Sequence, residues 1–223
     1  MTLPVSVVIP TFDAAPLIAN AVRAHAAAAE VIVADAGSAD GTPARAEEAG
    51  ARVVAAPRGR GPQLAAGAAT AGCEWLLFLH ADTRLGDGWA EAAGRFAAAP
   101  ENAMRAAAFT LRLDDPAPGA RRVERLARWR GRVLGLPYGD QGLLMSRALY
   151  DSVGGFRPLP LFEDVDMVRR IGRPRLDILE IPAVTSAVRY RREGYWLRPA
   201  RNLCCLALYF AGAPARLLAR LYG

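Results

Sequence analysis

Short apolar runs alternate with helix-like stretches over about the first 80 residues. Four such runs are typical of buried strands. They are Val5–Pro10, Val31–Val33, Val53–Val54 and Trp75–Leu79. The stretches between them carry helix signals, such as Thr42 before Pro43 at one start and Gly50 at the same helix's end. This alternation predicts an α/β fold with a mostly parallel central sheet and helices on both faces.

The second half of the chain is less regular. We predict strands over residues 106–113, 143–146, 176–181 and 184–190, and an arginine-rich helix over residues 120–132. A Gly/Pro-rich loop leads to a helix that starts near Phe162, and residues 199–222 form a helical, apolar tail. Neither a linker nor a repeat divides the sequence, so we expect one domain over residues 1–223.

Composition and charge narrow the possible classes of protein. Hydrophobic residues make up 52% and charged residues 22% of the chain, which excludes a disordered protein. The net charge is +6, and all 28 basic residues are arginine. Arginine suits phosphate, so nucleic acid, anionic lipid and a phosphorylated small molecule all stay open as partners, beside simple solvated faces. The densest arginine runs lie at residues 121–132 and 189–192.

The cysteines and the two ends of the chain indicate in which cellular compartment the protein works. Cys73, Cys204 and Cys205 form no disulfide or metal-ligand framework, and the N-terminus lacks a signal peptide, so we expect a cytoplasmic protein. The apolar tail is shorter than the roughly 20 residues that span a bilayer. Its flanking arginines leave three roles open: packing on the domain, a homodimer, or peripheral contact with the inner membrane face.

Several polar residues follow the predicted strands, where ligands of open parallel sheets bind. Asp82 follows Trp75–Leu79 and is either a ligand for a magnesium-type cation or a turn cap. Asp35 ends the second strand and can accept hydrogen bonds from a nucleoside, whereas Asp40 is expected to cap the turn before Thr42.

Two further groups of titratable residues stand out. Glu163, Asp164 and Asp166 form an acidic cluster at a helix start, where mutual repulsion can raise one pKa towards general-base use. The competing interpretation for one of them is stabilisation by the helix dipole. His80 can ligate, orient or pack, and His25, in an alanine-rich helix, is expected at the surface.

Four ordered segments resemble family 2 glycosyltransferases, which have the GT-A nucleotide-sugar fold. The segments are Val7–Phe12, Val33–Thr42, Leu77–Thr83, and Gly154–Phe156 with Glu163–Asp164. Within the family, the form of these motifs is most similar to a small bacterial subgroup named for arsenosugar biosynthesis. The resemblance covers residues 5–190 and divides the chain into a nucleotide-sugar-binding half (1–110), an acceptor half (111–197) and the tail (198–223).

The resemblance implies an inverting transfer from a UDP- or GDP-sugar to an unknown acceptor hydroxyl, aided by Mg²⁺ or Mn²⁺. Asp82 would bind the metal, and Asp164, with Glu163 beside it, would act as the base. Asp140, Gln141 and Asp166 would face the acceptor. The donor side would comprise Pro10, Thr11, Asp35, Arg60, Gln63, His80, Ala81, Asp82 and Arg189.

The chain departs from the family pattern at two positions. His80 stands where the first aspartate of Asp-x-Asp is usual, and Ala36 replaces the second aspartate of an Asp-Asp pair. These departures weaken the expectation that the chain binds the metal with the affinity usual in the family and contacts the nucleobase in the usual way. Two rival functions stay open. The net charge of +6 and the arginine-rich helix favour a non-catalytic binder of anions or nucleic acid, and His80 in place of an acid favours an inactive sugar-nucleotide sensor. Nucleic acid is not an expected partner of the transferase itself.

Overall fold

The computed structural model describes residues 3–159, 161–214, 217–218 and 221, and this part of the chain forms one sheet covered by helices. The strands are β1 (Leu3–Thr11), β2 (Ala28–Asp35), β3 (Arg52–Ala55), β4 (Trp75–Phe78), β5 (Thr83–Leu85), β6 (Ala106–Leu113), β7 (Leu143–Ser146) and β8 (Leu176–Thr185). The helices are α1 (Ala15–Ala24), α2 (Thr42–Glu48), α3 (Arg60–Thr70), α4 (Trp89–Ala98), α5 (Pro118–Trp129), α6 (Arg147–Ser152), α7 (Glu163–Ile171), α8 (Val188–Glu193) and α9 (Leu197–Phe210).

The sheet has the strand order β3-β2-β1-β4-β7-β6-β8-β5. Neighbours are parallel from β3 to β4 and again between β6 and β8. Strand β7 runs antiparallel to both of its neighbours, and β5 runs antiparallel to β8. Four of these seven neighbouring pairs are parallel, so the prediction of an α/β fold with a mostly parallel sheet is confirmed.

Helices cover both faces because successive strand residues point to opposite sides. Val7 of β1 packs in a buried cluster with Ile18 of α1, whereas its neighbour Val8 packs with Leu64 of α3 on the other face. At Gly67 of α3, an added Cβ would overlap Cγ1 of Val8. Helix α3 therefore lies directly on β1, which brings its N-terminus close to the carboxyl end of that strand.

The segment between β4 and β6 contains two elements that the hydrophobic pattern did not predict, β5 and α4. Helix α4 buries Trp89 and Phe96 against the first cluster. His25 lies there too, and the prediction that it is exposed is wrong. Its Nδ1 donates to the carbonyl of Ala21 (2.7 Å), and its Nε2 accepts from the amide of Leu85 (3.3 Å). Both ring nitrogens are used, which makes burial of the neutral imidazole favourable.

The predicted break in the last strand is also wrong, because β8 runs without interruption from Leu176 to Thr185. It tolerates Pro182 because the register with β6 shifts at this point and the proline carbonyl accepts from the amide of Gly86 (2.7 Å). The predicted strand over residues 184–190 is wrong beyond Thr185, because two loop residues follow and helix α8 then begins at Val188. Asp114 fixes this change of direction by accepting from the amide of Ala187 (2.6 Å).

The described part of the tail packs on the domain. Helix α9 buries Cys205 and Leu206 in the second cluster, and the ring of Tyr209 lies 5.1 Å from that of Phe162. Arg198 and Arg201 both pair with Glu193. Among the described residues, no helix has the length and apolar character needed to cross a membrane. Residues 215–216, 219–220 and 222–223 of the predicted tail lie outside the described residues.

Candidate active site

A cleft of about 420 Å³ opens where β1 and β4 end and is closed on its far side by α7, α8 and α9. Eleven of the predicted site residues line it, from both halves of the chain. They are Pro10, Thr11, Arg60, Gln63, His80, Ala81, Asp82, Asp140, Glu163, Asp164 and Arg189. Asp35, Gln141 and Asp166 are not among the lining residues. The fold thus brings together most residues that the sequence placed on strand ends and on the acidic loop.

Asp35 lies just behind the cleft wall. Its carboxylate accepts from the hydroxyl of Thr11 (2.8 Å), the hydroxyl and amide of Ser38 (2.5 and 2.8 Å) and the amide of Gly37 (3.0 Å). Burial raises the pKa of Asp35, but these hydrogen bonds outweigh it and hold the pKa below its ordinary value. Four donors occupy about as many positions as a carboxylate offers. Asp35 therefore shapes the rim through Thr11. Asp40 accepts from the amide of Thr42 (3.0 Å), which is the turn cap that the sequence predicted.

Gln63 joins the ends of the first two strands. Its Nε2 donates to the carbonyls of Thr11 (2.6 Å) and Ala34 (2.9 Å), which lie at the carboxyl ends of β1 and β2. The side chain is buried, so these bonds satisfy groups that would otherwise be costly to bury. Gln63 thus fixes the rim of the cleft at the point where Arg60, one turn earlier on α3, reaches into it.

The carboxylates of Glu163 and Asp164 enter the cleft from the first turn of α7. The preceding residue, Phe162, has a φ of 64°, an unusual backbone conformation for a residue other than glycine. Its buried ring packs against Tyr209 of α9, which holds this turn in place. Strain of this kind persists only where surrounding contacts enforce it. Helix α9 therefore helps to aim the two carboxylates.

Asp164 links three segments of the site. Its Oδ2 accepts from the amide of Gly139 (2.6 Å), and its Oδ1 accepts from the amide of Val165 (2.7 Å). Gly139 also lies directly against His80, because an added Cβ would be 2.5 Å from Nε2 of that imidazole. Burial, and secondly the positive charges of Arg60 and Arg189, hold the pKa of His80 well below its ordinary value. The imidazole is therefore neutral at pH 7.

Glu163 is the most buried acid of the cleft. Burial raises its pKa, the negative charge of Asp164 raises it further, and the guanidinium of Arg60, 3.9 Å away, opposes both effects. A carboxyl group with a raised pKa can carry a proton near neutral pH. Glu163 is therefore the acid of the cleft that is best placed to hold a proton near neutral pH.

Asp140 faces the other acids without a partner for one of its oxygens. Its Oδ1 is buried and makes no hydrogen bond within the described residues. Burial raises the pKa of Asp140 to about 6. The negative charges of Asp164 and Asp82 add to this rise, whereas the positive charges of Arg130 and Arg60 oppose it. An orphaned carboxylate oxygen beside two further carboxylates is an environment that a cation would stabilise.

Two predicted acceptor-side residues serve the scaffold in this structure. Asp166 accepts from Nε and Nη2 of Arg170 (2.9 and 2.6 Å) and from Arg157 (3.2 Å), outside the cleft. Gln141 is buried and donates from Nε2 to the carbonyl of Phe109 (2.9 Å), while its Oε1 accepts from Arg130 (3.1 Å). The structure does not bring either side chain to the cleft surface.

The tail contributes residues that the sequence analysis did not assign to the site. Arg198 and Asn202 of α9 line the cleft, and Oδ1 of Asn202 is buried without a hydrogen-bond partner in the described part of the chain. Tyr138 and Tyr190 line it as well. The one signal in the sequence was an asparagine within an apolar helix, which does not by itself indicate where its side chain points.

The donor atoms of the cleft fit a hard divalent cation. Magnesium-type ions are commonly held by one or two carboxylates together with substrate phosphates and water. Asp82 and Asp140 supply such carboxylates, and the unpartnered Oδ1 of Asp140 is available for a bond. Within the described residues, no three His, Cys, Asp or Glu side chains are grouped to hold a metal by themselves. The arrangement suits a cation that arrives with a phosphate-bearing ligand.

Comparisons with known proteins agree with this geometry. A solved structure of glucosyl-3-phosphoglycerate synthase from Mycobacterium tuberculosis, in complex with Mn²⁺, UDP-glucose and phosphoglyceric acid, is similar with a TM-score of 0.61 and 21% identity, over 94% of this chain and 80% of that one. Mannosyl-3-phosphoglycerate synthase from Rubrobacter xylanophilus is similar with a TM-score of 0.59 and 19% identity, over 95% and 76%. At these identities the likeness shows the GT-A fold.

Sequence comparisons address the family directly. No curated protein matches the chain. The family model described as Glycosyl transferase family 2 matches residues 6–151, which is more than half of the chain. That range contains most of β1, all of β4 and the turn that carries Asp140, and it therefore includes more than half of the residues that line the cleft. The chain belongs to glycosyl transferase family 2 and is a glycosyltransferase.

Proposed function

We propose that the protein transfers a sugar, with inversion, from a nucleoside diphosphate sugar to an acceptor hydroxyl, and that a divalent cation assists. The observation that carries the proposal is the convergence of the carboxylates of Asp82, Asp140 and Asp164 with the guanidinium groups of Arg60 and Arg189 in one cleft. Carboxylates suit a metal and a proton, whereas guanidinium groups suit a diphosphate.

The donor would lie along the β1 side of the cleft. The nucleoside would sit against Pro10 and Thr11, whose positions Gln63 and Asp35 fix from behind. Arg60 and Arg189 would bind the diphosphate. The mycobacterial neighbour holds UDP-glucose with Mn²⁺, which supports a UDP-sugar donor and a Mn²⁺ or Mg²⁺ cofactor for this chain as well.

Asp82 and Asp140 would hold the cation. When bound, it would neutralise charge that builds up on the departing diphosphate. Neutral His80 adds no positive charge that would compete with a cation beside Asp82, and it can still orient this segment by packing against Gly139. The replacement of an acid by His80 is therefore compatible with metal binding, provided that Asp140 supplies the second carboxylate.

Asp164 would accept the proton of the attacking hydroxyl. The amide of Gly139 holds its Oδ2, so the carboxylate is fixed relative to the donor side, which is the condition for general-base catalysis. Glu163, with its raised pKa, would take up the proton from Asp164 as a carboxylate and then release it to solvent. For an inverting transfer, the acceptor hydroxyl must approach the anomeric carbon from the face opposite the departing diphosphate, within reach of Asp164.

The test is a panel of UDP- and GDP-sugars with and without Mn²⁺ or Mg²⁺, read by release of the nucleoside diphosphate, with phosphoglyceric acid as the first acceptor because the mycobacterial neighbour binds it. Asp164→Asn should keep donor binding by calorimetry and lose turnover by roughly 100- to 10,000-fold. Asp82→Ala should lose metal-dependent donor binding. The anomeric configuration of the product, read by NMR, tests inversion.

Matched controls are Asp87→Asn and Asp87→Ala, because Asp87 is exposed and outside the cleft. Donor binding without turnover for any acceptor, with Asp164→Asn unchanged, would favour the sugar-nucleotide sensor. Salt-dependent binding of oligonucleotides that does not respond to Asp82 would favour the nucleic-acid binder. The similarity to the arsenosugar subgroup, the single domain and the cytoplasmic location stay predictions.

A further inference from the structure

The outer face of α5 is exposed and combines arginines with large apolar side chains. Arg122, Arg125, Leu126 and Trp129 are spaced so that they share one side of the helix, and Leu126 and Trp129 are 49% and 52% exposed. The opposite side carries Ala120, Val123 and Ala127, which are buried against β6. The domain therefore fixes this helix by one face and presents the other to the surroundings.

The face extends beyond α5 in two directions. Val133 and Leu134, in the π-helical turn Arg130–Leu134 that follows the helix, are 45% and 46% exposed. At the other end, the guanidinium of Arg122 stacks 4.3 Å from the ring of Trp196, which is itself 71% exposed and is followed by Leu197 at 74%. We call this set the arginine–tryptophan face. Such large exposed apolar side chains in one area indicate an interaction surface.

The charge of this face is positive and unbalanced. Arg122 and Arg125 of the face and Arg128, which borders it on α5, are exposed, and no ion pair is formed by any of the three within the described residues. The one acid on α5, Glu124, turns inward, where it pairs with Arg121 and accepts from the amide of Leu113 (2.8 Å). A partner for the face must therefore supply negative charge for the arginines and an apolar environment for the exposed tryptophan, leucine and valine side chains.

We propose that the arginine–tryptophan face docks the protein on the surface of an anionic lipid bilayer. Anionic headgroups complement the three arginines, and the interfacial acyl region accepts tryptophan and leucine side chains. A second copy of the chain would bring these arginines opposite one another. Nucleic acid would satisfy the arginines and stack on tryptophan, but it offers no hydrocarbon for Leu126, Val133, Leu134 and Leu197.

Vesicle co-sedimentation of the full chain tests the proposal. We expect binding to phosphatidylglycerol/phosphatidylcholine vesicles and little binding to phosphatidylcholine alone, with loss of binding as salt rises. The double variant Arg125→Gln/Arg128→Gln should bind roughly 25-fold more weakly, at about fivefold for each arginine. Trp129→Ala should weaken binding without changing its salt dependence. The tryptophan emission of the wild type should shift to the blue on vesicles, and that of Trp129→Ala should shift less.

Arg23→Gln/Arg95→Gln is the matched control, because both residues are exposed on other helices, α1 and α4. It should bind vesicles like the wild type, and thermal unfolding should confirm that all variants fold. The proposal is overturned if the two double variants lose affinity equally, if neutral vesicles bind as well as anionic ones, or if a duplex oligonucleotide binds more tightly than vesicles at equal phosphate concentration. A dimer in sedimentation velocity that the Trp129→Ala variant abolishes would overturn it too.

Discussion

Gly139→Ala tests the close approach at the centre of the cleft. An alanine Cβ at this position would lie 2.5 Å from Nε2 and 2.9 Å from Cε1 of His80. Ordinary contacts of this type are about 3.5 Å, so a displacement of about 1 Å is required. Either His80 turns into the cleft or the turn Gly139–Gln141 lifts, which lengthens the 2.6 Å hydrogen bond from the Gly139 amide to Asp164.

The expected effect is larger on turnover than on stability. Overpacking of this kind costs about 1–3 kcal/mol, which corresponds to a melting temperature lower by roughly 2–12 °C in a chain of this size. A 1 Å misplacement of a catalytic group can reduce the rate about 100-fold. Because we expect the displacement at His80 and the turn rather than at Arg60 and Arg189, kcat should fall by about this factor while KM for the donor changes little.

Nucleoside diphosphate release at saturating donor gives kcat, and calorimetry with UDP gives donor-side affinity. Gly131→Ala is the control, since its Cβ would make only ordinary contacts, with Cδ1 of Ile178 at 3.4 Å and Nε2 of Gln141 at 3.9 Å, and should be tolerated. If Gly139→Ala keeps the wild-type kcat and melting temperature, then Gly139, His80 and Asp164 are not packed as described, and the assignment of Asp164 as a positioned base would have to be abandoned.

Two further predictions concern the scaffold. Burial lowers the pKa of His25 below the 6.5 of an exposed imidazole, so the unfolded state takes up a proton at a higher pH than the folded state does. The free energy of unfolding therefore has its full value above pH 6.5 and falls below that pH, by at most about 1.4 kcal/mol per pH unit. Urea unfolding between pH 5 and 7.5 should show this loss in the wild type and a flatter profile in His25→Gln. Asp166→Asn should cost about 3 kcal/mol in urea unfolding, because it leaves the half-buried Arg170 without its carboxylate, and should keep UDP affinity. Loss of UDP affinity in a folded Asp166→Asn variant would instead place this residue in the site.

The sequence predicted the position of some acidic residues of the cleft but not of others. The apolar run Trp75–Leu79 indicated that Asp82 follows a buried strand, and the general behaviour of parallel sheets then placed it at the ligand-binding edge. The same reasoning failed to separate Asp164 from Asp166, two residues away on α7. At helical spacing these side chains point in different directions, so Asp164 enters the cleft while Asp166 meets Arg170.

The sequence by itself determined the alternation of strands and helices and the edge of the sheet at which the polar residues collect, because hydrophobic periodicity and the order of elements are local properties. Only the tertiary structure decided which side chains share the cleft. The orphaned oxygen of Asp140, the contact of Gly139 with His80 and the entry of Asn202 from the tail each join residues far apart in the chain. Such contacts depend on how helices α7 and α9 pack across the sheet, and one-dimensional patterns do not encode that packing.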